Sequence, residues 1–278
     1  DDVESRGLGD VYKRQVDKQI HIFNKNDFSY LTSIGNFGEG PEEITVMGCL
    51  AIDEAHHQLY VSDHAKQKIF SYDMDSVMVD SLYKPQVKTA MNETLFPSEY
   101  QYINDTLSIA VLIKPTSTST FNQFLGRWNM NTGEMIPMKY THPDIQKKRI
   151  TFAASEKAGI YVECYTRHDL MTICSLDGEL LYNIYGPDWD GGNGNKLQSF
   201  GTVMIGNDKI FVSYCGEDYA RDSFPTKILV FDLEGNYLKT LETGYKISDC
   251  CYDSFNNRII LSLNDVVQFA YLDIDGII

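Results

Sequence analysis

Several residues with chemically versatile side chains lie in segments between short apolar runs. Aromatic rings next to carboxylates and an arginine could bind a sugar or a peptide, because rings pack against apolar faces while charged groups make hydrogen bonds. The residues that we predict for ligand binding are His64, Tyr165, Arg167, His168, Trp189, Tyr214, Tyr219 and Arg221. Structural alternatives remain open. Asp63 could cap its own turn and Trp189 could plug a chain crossing, while Arg167 and His168 could lie in a solvated loop.

The glycine-rich segment 35–44, GNFGEGPEEI, raises the question of a phosphate site. Such a site needs backbone N–H groups that converge on the anion, usually with a lysine or arginine nearby. Pro41 removes one of these donors, and Glu39, Glu42 and Glu43 would repel a phosphate. The segment therefore predicts a turn of the chain.

Other catalytic or metal motifs are incomplete in this sequence. The segment 188–195, DWDGGNGN, resembles a calcium loop, but Gly192 stands where the fifth position needs an oxygen ligand. His56 and His57 are adjacent, so their side chains diverge in an extended segment and do not favour zinc. Motifs of the GxSxG and HExxH types are missing. We therefore predict no catalytic residue, no metal site and no cofactor.

Composition limits the classes of partner. The 278 residues can form one large domain or two, and a net charge of -15 argues against nucleic acid and anionic membranes as partners. Apolar runs are too short for a membrane span. The six cysteines show no CxxC spacing, which predicts mostly unpaired thiols. Cys164 and Cys174, on neighbouring predicted strands, are the one plausible bridge.

The first 15 residues, DDVESRGLGDVYKRQ, show neither a strand period nor a helix period and no signal-peptide core. Part of this segment resembles a translated adaptor sequence. We therefore treat residues 1–15 as a doubtful leader and expect the fold to lie in residues 16–278.

A repeat of about fifty residues runs through the rest of the chain. A β-branched and aromatic run recurs with Val61, Ile109, Val162, Val212 and Leu261 as its third residue, in steps of 48 to 53 residues. A second run follows each of these and ends in Asp, Asn or Ser before a tight turn, and this run occurs six times. An all-β repeat of this length is typical of a propeller.

The repeat predicts an all-β, six-bladed β-propeller. The first blade shows only its two outer strands and is incomplete, and the last blade has no room for an outer strand. We therefore expect that the chain is N-terminally truncated, since propellers commonly close their ring by sharing a blade between both ends. Segment 35–44 falls between the outer strand of one blade and the inner strand of the next, and segment 184–187 repeats this device.

The units resemble those of a known family. The glycine-rich segment followed by AIDE, LYVSD and KIFSYD is similar to NHL-type repeats, and residues 16–278 resemble the TolB-like six-bladed propellers of Gram-negative gut bacteria. Members typically carry an export or lipoprotein signal. The resemblance implies a location in the periplasm or at the cell surface, exported or lipid-anchored, and it supplies no catalytic residues.

Loop lengths indicate where a ligand would bind. The segments 83–99, 112–123, 141–149, 185–200 and 214–226 are predicted as long loops on one face, whereas the hairpins of the other face are short. We predict a non-enzymatic binding protein of the envelope whose long-loop face takes a small molecule, a glycan or a protein partner. An enzyme acting on a glycan or lactone, and a purely structural module, are the alternatives.

Overall fold

The computed structural model describes residues 19–80, 82–117, 120–146, 148–193, 197–218 and 223–277. The predicted leader at residues 1–15, together with Tyr219 and Arg221, lies outside this description. The chain divides into two compact units, residues 1–137 and residues 138–278. Consecutive strands pair antiparallel in both units.

The first unit contains three sheets. A two-stranded sheet is formed by β1 (Ile20–Phe23) and β2 (Tyr30–Ile34). The next sheet runs β3 (Met47–Asp53), β4 (Gln58–Asp63), β5 (Lys68–Asp73) and β6 (Gln86–Ala90). The third runs β7 (Phe96–Asn104), β8 (Leu107–Pro115), β9 (Phe121–Trp128) and β10 (Met135–Pro137). A 3₁₀ helix (Glu54–His56) follows β3, and helix α1 (Met74–Val79) follows β5.

The second unit also contains three sheets. The first runs β11 (Ile150–Ser155), β12 (Ile160–Tyr165), β13 (Leu170–Ser175) and β14 (Leu180–Tyr185). The second runs β15 (Leu197–Gly206), β16 (Lys209–Asp218), β17 (Lys227–Asp232) and β18 (Tyr237–Glu242). The third consists of β19 (Ile247–Asp253), β20 (Arg258–Leu263) and β21 (Phe269–Asp273).

Each hydrophobic core fills the space between two consecutive sheets of one unit. In the first unit, Ile22 of β1 shares a cluster with Val61 and Phe70 of the next sheet. In the second unit, Ile173 of β13 shares a cluster with Val212 of β16. Burying such side chains stabilises the fold by roughly 1.5–3 kcal/mol each, before the entropy of ordering them is counted. The fifty-residue repeat therefore predicted the packing unit.

The predicted tight hairpins are present, and glycine explains two of them. Gly178 and Gly235 have φ of +86° and +85°, a region that disfavours other residues. Each donates its N–H to the carbonyl three residues earlier, on Ser175 and Asp232 respectively. These turns connect β13 with β14 and β17 with β18, where the sequence predicted them.

The structure shows how the glycine-rich segment 35–44 turns the chain between β2 and β3. Gly35 has φ of +78°, and Phe37 and Ile44 form an isolated parallel bridge. The Glu43 carboxylate accepts the N–H of Gly40 at 2.8 Å and lies where a Cβ on residue 38 or 40 would stand. The chain's own carboxylate fills the loop. The interpretation as a turn is confirmed.

Two of the segments predicted as long loops are wrong, and the one bridge that the sequence left open is absent. The segment 83–99 is not a long loop, because β6 and the start of β7 lie within it; β6 lacks the alternation that marks a half-buried strand. In the segment 112–123, residues 112–115 belong to β8 and residues 121–123 belong to β9. The Cys164–Cys174 bridge does not form. In the register of β12 and β13, Cys164 lies opposite Met171 and Cys174 lies opposite Tyr161. All six cysteines are thiols, as the spacing predicted.

Blade count is confirmed only in part. Within the described residues, five sheets have the three or four strands of a propeller blade, and the β1–β2 sheet has two. The all-β prediction is confirmed, whereas the predicted count of six blades, the first of them incomplete, is not.

Candidate functional site

A cleft of about 500 Å³ opens in the second unit, among segments that the sequence predicted as long loops. This volume suits a small ligand. Its walls come from the turn after β14, the end of β16 and the segments that lead into β17 and β19. The lining residues are Asp188, Tyr214, Cys215, Gly216, Glu217, Ser223, Phe224, Thr226, Lys227 and Lys246.

Tyr214 supplies the aromatic wall of the cleft. Its ring packs edge-on against Phe200 of the neighbouring strand, with centroids 5.3 Å apart. Gly216 has φ of +69°, and a Cβ there would lie 2.8 Å from the Tyr214 ring, so glycine is needed for the chain to turn beside this ring. Burial, with Asp169 and Asp188 nearby, raises the pKa of Tyr214 to about 12. The hydroxyl is therefore neutral at pH 7 and can donate a hydrogen bond.

Charges of both signs face the cleft. Lys227 forms an ion pair with Glu242 at 3.4 Å. Among the described residues, neither the Asp188 carboxylate nor the Lys246 ammonium has an ion-pair or side-chain hydrogen-bond partner. A carboxylate and an ammonium therefore remain for a bound molecule. This combination suits a ligand that carries both charges.

The Asp188 wall belongs to a tight turn at residues 186–189. Asp169 is 4% exposed, and its carboxylate accepts the Asp188 N–H at 3.0 Å. Gly186 lies against this carboxylate so closely that a Cβ would overlap it. Burial raises the pKa of Asp169, and the Asp188 N–H opposes this shift. A buried carboxyl thus holds the turn in place.

Trp189 ends the same turn and packs into a cluster of rings. Its centroid lies 5.0 Å from Tyr185, 5.4 Å from His142 and 6.1 Å from His168. The indole is half-buried, so these three rings take up much of its surface. This arrangement favours the alternative that Trp189 plugs the crossing and fixes the turn beside the cleft.

His142 is not among the residues predicted to bind a ligand. The ring is 2% exposed, and its Nε2 lies 3.1 Å from the Tyr185 hydroxyl. Burial lowers the pKa of His142, with Asp144 opposing the shift, and burial likewise lowers the pKa of His168. The segment 141–149 was predicted only as a loop. A histidine before a proline gives no period or motif that would have revealed its burial.

Tyr165 lies in the core of its sheet. Its side chain is 1% exposed, and its hydroxyl donates to the Glu163 carboxylate at 3.2 Å. That carboxylate also accepts from Lys148 at 2.5 Å, and the carboxyl and ammonium side chains are 0% and 9% exposed. The three residues form a buried polar cluster.

The remaining predicted residues are dispersed. His64 lies in the first unit, where its ring packs 5.9 Å from Phe96 and against Gly48. Asp63, beside it, accepts the N–H groups of Ala65 and Lys66, which confirms the interpretation as a turn cap. Arg167 is half-buried in the loop before β13. The structure thus brings together Trp189, His168 and Tyr165, and places Tyr214 in the cleft.

In the residues that the structure describes, no three His, Cys, Asp or Glu side chains group around a possible metal position. No helix in the same part of the chain combines the length and apolar character that crossing a membrane requires.

Comparisons with known proteins address the fold. A family model described as a 6-bladed beta-propeller (DUF5128) matches residues 11–125, which is less than half of the chain. No curated protein matches the sequence. A member of the DUF4221 family from Bacteroides vulgatus is similar in structure, with a TM-score of 0.61 and 10% identity, over 94% of this chain and 88% of that one.

Two further Bacteroides structures are similar. The extracellular domain of a putative one component system from B. thetaiotaomicron has a TM-score of 0.56 and 13% identity, over 92% of this chain and 31% of that one. A protein of unknown function from Bacteroides caccae has a TM-score of 0.53 and 12% identity, over 93% and 87%. Such low identities bear on fold alone. Together with the antiparallel sheets, the family model and the similar structures show that the chain is an all-β propeller.

Proposed function

We propose that this chain is a non-enzymatic, six-bladed propeller of the cell envelope that binds a ligand in the cleft beside Tyr214. The proposal takes residues 16–278 as one TolB-like domain exported to the periplasm or cell surface. The extracellular domain among the similar Bacteroides structures supports that location. The chemistry of the cleft supports the binding role.

The observation that carries the proposal is a pair of charges without side-chain partners among the described residues, in a cleft with an aromatic wall. Asp188 and Lys246 lie with Tyr214 around a volume of about 500 Å³. A short peptide with free ends presents an ammonium and a carboxylate, and therefore complements both charges, while Tyr214 packs against a side chain. A neutral sugar can make hydrogen bonds to both groups but offers no opposite charge to either, so its hydrogen bonds are charged on one side only and are weaker than ion-paired ones. The ligand class that fits best is a short peptide.

The test is a binding screen by calorimetry at pH 7.5. A pool of tripeptides with free termini is compared with a panel of neutral oligosaccharides. For a bound tripeptide, Lys246→Ala should lower affinity about tenfold or more, since a hydrogen bond to a charged group contributes about 1.5–3 kcal/mol. Lys157→Ala is the matched control, because Lys157 is 85% exposed on the hairpin between β11 and β12 and pairs only with exposed Asp208.

The outcomes separate the alternatives. Equal effects of both lysine variants would place the binding outside the cleft and refute the site. Binding of oligosaccharides alone would refute the peptide as ligand class. Cleavage of a bound compound, seen by chromatography of the incubated mixture, would refute the non-enzymatic role and favour a glycan- or lactone-processing activity.

A further inference from the structure

The segment 138–146 forms a strap across β14 and the turn that follows it. Tyr140 accepts a hydrogen bond from Asn183 of β14 at 2.8 Å. Lys139 pairs with Glu179, the residue directly before β14. The strap buries Met138 and Ile145 together with His142. Gly192 lies close to the Asp144 carbonyl, where a Cβ would stand 2.5 Å from the oxygen. The strap is thus packed between β14 and the loop that carries Trp189.

His142 is held in one protonation state by its hydrogen bonds. The Asp144 N–H donates to Nδ1 at 3.3 Å, so this nitrogen must carry a lone pair. Nε2 therefore carries the proton of the neutral ring and donates to the Tyr185 hydroxyl at 3.1 Å. A second proton on Nδ1 would face the Asp144 N–H and break that bond. The observed packing therefore requires neutral His142.

His168 is in a similar position on the other side of Trp189. Its side chain is 7% exposed, and its Nδ1 has no hydrogen-bond partner among the described residues. Its ring lies 6.1 Å from both Trp189 and Tyr165. A charge on this ring would be buried without a hydrogen-bond acceptor at Nδ1 among the described residues, which is costly. Both imidazoles are therefore packed as neutral groups.

Among the charged and titratable groups around the two rings, some raise and some lower the pKa values of the histidines. Asp144 on the strap favours a protonated His142, and Asp190 in the loop favours a protonated His168. Burial of both rings outweighs these carboxylates, and His142 itself disfavours a charge on His168. Two further groups belong to these elements: the Tyr185 hydroxyl on β14, and Arg167 next to His168.

The pKa of Asp169, which contacts the turn 186–189, is shifted in the direction opposite to those of the two histidines. Because its pKa is raised, Asp169 takes up a proton more readily in the folded chain than in the unfolded one, so acid does not destabilise the fold through this carboxyl. These shifts move the pKa values of Asp169 and the two histidines toward each other from ordinary values of about 3.9 and 6.5, so variants of the histidines are needed to assign an acid transition to the imidazoles.

We propose that His142, His168 and Trp189 form an acid-sensitive latch, in which protonation of the two histidines releases the strap 138–146 and the turn 186–189. The neutral rings stabilise the packed state above the ordinary histidine pKa of about 6.5. This stabilisation is lost as the pH falls through the lower pKa of the folded state. Because the turn also carries Asp188, release opens one wall of the cleft. That last consequence rests on the proposed ligand site.

The latch can be tested without any ligand, by tryptophan fluorescence between pH 8 and pH 4.5. The second tryptophan, Trp128, is 1% exposed in the first unit, and Trp189→Phe identifies the signal of the latch by removing it. We expect a transition of Trp189 emission with a midpoint below 6.5, accompanied by lower protection of the strap amides against hydrogen exchange, relative to the intrinsic rate at each pH. His142→Gln/His168→Gln should abolish the transition, and His57→Gln, at an exposed histidine of the first unit, should leave it unchanged.

The single variants keep the test decisive if the double variant fails to fold, because each should weaken the transition while circular dichroism retains the β signal. A flat emission profile in the wild type, or an unchanged transition in the histidine variants, would overturn the latch. Calorimetry with a bound tripeptide at pH 7.5 and pH 5 tests the coupling, with a loss of roughly fivefold or more expected in the wild type alone. Failure to bind any tripeptide at pH 7.5 refutes the ligand site and leaves the fluorescence result standing.

Discussion

Asp63 connects the crossing at residues 35–46 with the blade that follows it. The side chain is 0% exposed, and its carboxylate accepts four backbone N–H groups. Two come from the crossing, Thr45 at 2.7 Å and Val46 at 3.1 Å, and two come from its own turn, Ala65 at 3.0 Å and Lys66 at 3.1 Å. Asp63→Ala would remove all four acceptor contacts at once.

The expected loss of stability follows from these contacts. A hydrogen bond to a charged group contributes about 1.5–3 kcal/mol, and contributions within one network are not additive. The donors of Ala65 and Lys66 lie beside the half-buried turn and can reach water, so the two bonds to the crossing dominate. We expect Asp63→Ala to lower the free energy of unfolding by about 3–5 kcal/mol. The melting temperature should fall by roughly 10 °C.

Calorimetry of the wild type, Asp63→Ala and Asp63→Asn checks this reasoning. Asparagine retains one acceptor oxygen and should recover about half of the loss. Burial alone would raise the pKa of Asp63, but the four N–H groups outweigh it and hold the pKa below its usual value. The contribution is therefore present above about pH 3.9 and is lost as the pH falls through the folded-state pKa. A loss below 1 kcal/mol, or a loss that does not shrink in acid, would refute the argument.

Two further predictions concern buried groups of the second unit and the cysteines. Lys148→Met should leave the Glu163 carboxylate buried without its ion pair and lower the free energy of unfolding, measured by urea titration, by about 3–5 kcal/mol. Adding Glu163→Gln should recover part of this loss. Additive losses from the two substitutions would contradict the pairing. Thiol counting in denaturant without reductant should give six thiols per chain, whereas native protein should react first at the less buried Cys215 and Cys251. A count of four or fewer would contradict the unpaired state.

The repeat and the turns were predictable because local physics decides them. A strand with an apolar face followed by Asp-x-Gly has few alternatives, since only glycine adopts the left-handed turn at low cost. Gly178 and Gly235 occupy such positions, and the strands before them, β13 and β17, pack as predicted. The turn at residues 35–44 was predictable because its glutamates would repel a phosphate, which excludes a phosphate site.

The strand β6 shows where local patterns fail. Its sequence QVKTA has one exposed valine and no buried residue, so its apolar pattern carries little information. The strand exists because β5 offers unpaired backbone groups along its edge, with Lys68 opposite Ala90 and Ser71 opposite Gln86. Pairing of this kind depends on a neighbour in space. Helix α1 was not predicted either. Asp73 caps it by accepting the Ser76 N–H at 2.7 Å.

The candidate site was only partly predictable, and the reason lies in what residue types can reveal. Tyr165 and His168 attracted attention as chemically versatile side chains, yet the fold buries both. His142 attracted none and is the ring that fixes the turn, while Lys246 is an ordinary surface lysine until Asp188 and Tyr214 are brought to the same cleft. Rings and imidazoles are used for packing as readily as for binding. What separates the two uses is exposure together with the partner: a packed group is buried in the fold, whereas a binding group is exposed and has no side-chain partner among the described residues. Tyr165, bonded to Glu163, belongs to the first class. On that criterion the pair Asp188 and Lys246 carries the functional prediction, and the rings around Trp189 hold the turn that carries Asp188.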